Sequence, residues 1–191
     1  MTLPQRTRPE LDVLGTLNQP TVGQVDCTVV KDGSLYRMDF TFKGARVTVT
    51  DATTNGSHGS FKLFDFNEGA VSFLGCRQDY TSFRSDGTGV PGDTAFEIGI
   101  GTTAIAAAAD GTLGNGVNEN VGQAVALTLS GDPATAAGTA VDGAKATALN
   151  GTATALDLNL NVSGSAGTVD GDGWLAVWGT ASITFAWMGD D

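Results

Sequence analysis

The chain has 191 residues, a hydrophobic fraction of 41%, 27 glycines and only 16% charged residues, enough apolar material for one sizeable domain or two small ones. Its net charge of −11 excludes the basic footprint that nucleic-acid binding needs, and it disfavours an anionic membrane surface. High glycine with few Lys and Glu points to many short strands joined by tight turns rather than to long surface helices.

Residues 1–22 contain Pro4, Pro9 and Pro20 with Arg6 and Arg8 nearby. Proline at this spacing blocks a stable helix and predicts an extended N-terminal arm, either frayed or ordered against a partner. The segment Met1–Arg8 lacks the apolar stretch of a signal peptide, and no apolar run approaches a membrane span.

From residue 23 onward the hydrophobic period is two. Val25–Val30 reads as a strand and Lys31–Ser34 as a turn. Leu35–Phe42 alternates almost strictly, and Lys43-Gly44 is expected to turn the chain into a further strand, Ala45–Thr50. Asp51–Ser60 reads as a loop. Phe61–Phe66 and Ala70–Leu74 form an apparent hairpin, and residues 76–93 look polar and turn-rich. Ala95–Ile100 resumes strand character. The Ala106–Ala109 run fits either a helical turn or a strand end.

In the second half, Val121–Leu129 and Ala153–Val162 alternate. In the latter, Leu156, Leu158, Leu160 and Val162 share one face, and Asp157, Asn159 and Asn161 the other. Trp174–Asp191 reads as one or two closing strands. Eight to ten short strands predict an all-β fold, an antiparallel β-sandwich of jelly-roll type with an extended N-terminal arm. Residues 23–191 form one domain in this reading. The charge balance changes near 84–94, which offers an internal boundary: residues 1–84 are neutral overall, whereas 85–191 hold twelve acids and one base, Lys145.

Candidate chemistry is sparse. His58 is the only histidine and lies in a run of Gly and Ser, poor support for a Ser–His–acid set. Gly99-Ile-Gly-Thr-Thr-Ala104 matches a dinucleotide-binding spacing, but no βαβ pattern surrounds it. Asp170-Gly-Asp-Gly173 resembles part of a calcium loop, yet Ala181 stands where an EF-hand needs its bidentate Glu, so a tight turn reads better. Cys27 and Cys76 form no C-x-x-C pair; free thiols and one disulfide both remain open. Asn55, Asn150 and Asn161 head sequons that matter only in a secreted chain. Trp174, Trp178 and Trp187 are read either as a cluster closing the sandwich or as a sugar platform. No cofactor or metal is expected.

Three stretches together carry a family likeness: Gly59–Gly75, with Lys62-Leu-Phe-Asp-Phe-Asn-Glu-Gly69 at its centre; Leu149–Val162; and Gly179–Trp187. In this order they resemble head decoration, or cement, proteins of tailed bacteriophages, over roughly residues 45–187. The N-terminal segment, Cys27 and Cys76 fall outside the pattern. The resemblance implies a non-enzymatic virion protein on the capsid exterior that binds the major capsid protein and itself, often as a trimer. It makes the arm a strap, with Arg6, Arg8, Leu11 and Leu14 as candidate capsid-binding residues. Two other classes compete with it. One is a tail or fibre adhesion module for host-surface carbohydrate. The other is a hydrolase built on a pair of carboxylates.

Overall fold

The computed structural model describes residues 14–17, 24–52, 56–67, 69–91, 94–106, 113, 117–130, 135–137, 140–142, 147–150, 156–165 and 169–189. Among them run twelve strands: β1 (Gly15–Leu17), β2 (Val25–Asp32), β3 (Leu35–Asp51), β4 (Ser57–Phe66), β5 (Ala70–Ser85), β6 (Ala95–Gly101), β7 (Gly122–Thr128), β8 (Thr135–Ala137), β9 (Ala140–Asp142), β10 (Thr147–Asn150), β11 (Asp157–Gly164) and β12 (Gly173–Gly189). Every pairing is antiparallel, in the order β10-β5-β12-β3-β4-β11-β6-β7. The expected all-β class holds, and the sheet folds over on itself as a sandwich that nearly closes like a barrel. No helix among the described residues is long and apolar enough to cross a membrane.

Two layers enclose the core. One consists of β2, β3, β12 and β5, with β8, β9 and β10 along the far edge of β5; the other consists of β1, β4, β11, β6 and β7. Strand β3 joins them, because its end pairs Thr50 with His58 and Asp51 with Ser57 of β4. At the opposite side, Gln78 of β5 reaches β7: its Nε2 donates to the Gln123 carbonyl at 2.8 Å, and Tyr80 donates to its Oε1 at 2.7 Å. Gln78 is fully buried, so these bonds satisfy an amide that would otherwise be costly inside. The interior is aromatic at one end, where Phe66 meets Phe64 and Phe185 edge-on and stacks with Trp187.

Several expected boundaries move. Lys43-Gly44 does not turn the chain, and β3 runs through it as one 17-residue strand. Gly44 takes φ 80 and stands unpaired opposite the Val177–Trp178 register shift, a bulge that glycine accommodates without strain. Ser57–Ser60 belong to β4 rather than to a loop. The polar stretch after Gly75 is the second half of β5, whose Cys76, Gln78, Tyr80, Phe83 and Ser85 are buried while Arg77 and Arg84 are exposed. The C-terminal segment is one strand, β12. Strands on both sides of residues 84–94 belong to the same connected path.

Candidate functional site

Alternation along β3 and β12 builds two different surfaces. Tyr36, Met38, Phe40 and Phe42, then Ala45, Val47 and Val49, are buried. The residues between them (Leu35, Arg37, Asp39, Thr41, Lys43, Arg46 and Thr48) belong to the outer side. Trp174, Ala176, Trp178, Thr180, Ser182 and Thr184 of β12 continue this outer face, and Arg77, Asp79, Ser82 and Arg84 of β5 extend it further. Every described Lys and Arg except Lys31 and Lys62 is on this one face, in a chain of net charge −11.

The register orders these groups in rows. Arg46 and Arg84 flank Ala176, and Lys43 and Ser82 flank Trp178. The guanidinium of Arg46 lies 4.3 Å from the centre of the Trp174 ring, a cation–π contact that holds both side chains. Trp178 owes its position to Gly44: a Cβ there would stand 2.8 Å from the indole, so the missing side chain lets the ring lie against the backbone. Lys43 pairs with Asp26 across β2, and Arg37 pairs with Asp39 at 3.0 Å. Asp39 also accepts from Ser182. The result is a strip of cations, some paired with acids on the same face, and half-buried indoles.

The outer side of β11, in the other layer, is covered. Asn159 and Asn161 were expected on the polar side of β11, yet both are buried, as is Ser163. The chain after β6 passes over them. Asn161 Oδ1 accepts from Ser60 Oγ at 2.6 Å and from the Ile105 amide at 3.1 Å; its Nδ2 donates to the Thr103 and Asn118 carbonyls at 3.0 and 2.8 Å. Asn120 clasps Thr102 through both amide atoms, and Glu97 accepts from the Leu113 amide. Gly99 and Gly101 make room. A Cβ on Gly101 would stand 2.3 Å from the Asn118 carbonyl carbon. The dinucleotide-like spacing is therefore a close-packing device of this covering segment.

The remaining sequence candidates separate. Arg6, Arg8 and Leu11 lie outside the described residues. Leu14 is corrected: it is 0% exposed in the chain's own core, and β1 pairs with β4, so its side chain is not offered to a partner. The Asn67 amide donates to the Leu14 carbonyl at 2.7 Å, fixing that attachment. His58 faces Ser163 across β4 and β11, and its Nδ1 and the hydroxyls of Ser57 and Ser163 are buried without hydrogen-bond partners. Among the described residues no hydrogen bond through Nδ1 orients His58 towards a carboxylate.

Cys27 and Cys76 are free thiols. Strands β3 and β12 separate their strands, a span of roughly 14 Å at ordinary strand spacing and far beyond disulfide reach. Burial pushes both thiols up to about 12, with Asp39 adding to the effect at Cys27. Asp172 of the calcium-like turn accepts from the Asp51 amide at 2.9 Å, and among the described residues no group of three His, Cys, Asp or Glu side chains is placed to hold a metal ion. Trp187 joins the core, whereas Trp174 and Trp178 are on the outer strip. Sequence reasoning missed that strip, although its signal was present in the cations at outward positions of Leu35–Thr48.

No protein-family model matches the chain, and no curated protein matches it in sequence.

Proposed function

We propose that the chain is a structural virion protein that binds and stabilises a bacteriophage capsid shell from outside, as a decoration protein, with the major capsid protein as its partner and no catalytic role. The observation that carries this reading is the outer face of β2, β3, β12 and β5: four strands wide and bearing most of the described cations. Such a face works through area and geometry, and many modest contacts repeated over a lattice sum to a strong attachment. The test is co-sedimentation of purified protein with undecorated capsids. Saturable binding in fixed ratio to the capsid protein supports the reading, and no binding refutes it.

A second reading is favoured by one feature. Trp174 and Trp178 share the face, as a sugar-stacking module would arrange them. Adhesion to host-surface carbohydrate predicts that Trp178→Ala abolishes cell binding while capsid attachment persists.

A further inference from the structure

The geometry points to a twofold contact between two copies of this chain, in which the Trp174–Trp178 strip of each copy lies against an acidic rim of the other. This inference rests on the reading of the strip as a protein-docking face. The rim closes one end of that face. Asp51 ends β3, Asp86 follows β5, and Asp170 and Asp172 immediately precede β12. These acids are drawn together by the turns. Asp172 accepts from the Asp51 amide at 2.9 Å, and Asp86 accepts from the Val90 amide at 2.9 Å. Asp86 also lies under Gly173, where a Cβ would stand 2.4 Å from its Oδ2. Asp170 and Asp172 are exposed.

The rim and the strip are neighbours, since only Gly173 separates Asp172 from Trp174. Two adjacent patches of opposite sign are self-complementary under a twofold axis passing between them. The cations of copy one then meet the carboxylates of copy two, and the converse contact forms at the same time. Two chains of charge −11 repel at long range, so a contact that sets these two patches against each other is one that charge favours. Charge placement thus pairs strip with rim, and the adjacency of the two patches lets a twofold axis close both contacts at once, whereas the family resemblance implies a threefold ring.

The strip also has the composition of an interface centre. Trp and Arg are the side chains that most often carry binding energy, and the Arg46–Trp174 stack holds both in place before any contact is made. Four strands about 4.8 Å apart over some ten residues of about 3.3 Å offer roughly 600 Å² per copy, the small end of specific interfaces. A contact of this size, built on charge, will be reversible and salt-sensitive.

The test is sedimentation velocity of the full chain from micromolar to hundreds of micromolar concentration, at low salt and at about 0.5 M salt, where charges are screened over a few ångströms. The expected result is a dimer at low salt that dissociates at high salt. Arg46→Glu with Arg84→Glu should be monomeric. So should Asp170→Lys with Asp172→Asn, a change that keeps an oxygen for the Asp51 amide. Mixing the two variants should restore the dimer mass, because each supplies the charge that the other lacks. Thermal melting of each variant checks that it is folded, and Trp178→Ala, which leaves every charge in place, should weaken the dimer at least tenfold.

A monomer at every concentration, a trimer, or a dimer that neither charge reversal disturbs would overturn the inference. So would a monomer whose tryptophan emission shifts with polygalacturonate, which would assign the strip to an acidic glycan. Capsid binding is measured separately, so a dimer that ignores capsids would remove the functional reading and leave the contact standing.

Discussion

The side-chain amide of Asn161 donates to the backbone carbonyl of Asn118 at 2.8 Å, tying strand β11 to a segment 43 residues earlier in the chain. The same side chain binds Ser60, Thr103 and Ile105, so both of its amide hydrogens and its oxygen are used inside the protein. Asn161→Ala would orphan several buried groups at once. A loss of about 3 kcal/mol is expected, a fall in Tm of roughly 6–12 °C for a chain of this size. Asn161→Asp, which cannot donate, should lose nearly as much. Thermal melts and hydrogen exchange at the Ile105 amide check both, and unchanged exchange would contradict the clasp.

Gly101 and Gly99 test the same contact from below. A Cβ at Gly101 runs into the Asn118 backbone at 2.3 Å, whereas at Gly99 the nearest atoms are 3.1 to 3.3 Å away. Gly101→Ala should cost about 1–3 kcal/mol and Gly99→Ala less than about 1 kcal/mol. Denaturant titration of the two variants ranks them, and the reverse order would be inconsistent with this packing.

The N-terminal segment divides at Leu14. Deleting residues 1–12 removes Arg6, Arg8 and Leu11 and keeps β1 and the buried Leu14. Deleting residues 1–20 also removes β1 and the buried Leu14, and should destabilise the fold. Leu14→Ala alone is expected to cost about 2–5 kcal/mol. If the shorter deletion also leaves capsid binding intact, the strap implied by the family resemblance falls.

The thiols give a pH dependence. In the folded chain Cys27 and Cys76 keep their protons up to about 12, and burial raises Tyr80 well above its ordinary value. An unfolded thiol ionises near about 8.5, so above that pH the unfolded state binds fewer protons than the folded one. Stability should therefore be level below pH ~8 and fall as pH rises from ~9 through ~12. Melting curves across this range check it, and Cys76→Ala should make the decline shallower. Reducing agent should leave Tm unchanged at every pH, since no disulfide is present.

Period-two patterning made the strands legible wherever alternation was clean, as in Leu35–Phe42 and Phe61–Phe66. It failed where polar letters are buried. Gln78 and Asn161 look like surface residues, but each is buried because specific partners satisfy its amide, and all of those partners except Tyr80 are 43 residues or more away. Lys43-Gly44 looked like a turn because a bulge uses the same residue type. The three stretches that carry the family likeness place Leu63, Phe64, Phe66, Leu158, Leu160, Val162, Ile183 and Phe185 in the core. Those positions speak to packing, and none of them is on the cationic strip. The strip was hidden for a different reason: its cations come from two strands, β3 and β5, and only the β5-β12-β3 order brings them to one face.

The most direct test of the proposed decoration role is whether this chain occurs in purified virions of a phage that carries its gene, and in what copy number against the major capsid protein. Hundreds of copies per particle in fixed ratio to the capsid protein are expected. A handful of copies would place it at a tail or vertex as an adhesin, and its absence from the particle would contradict the virion role outright.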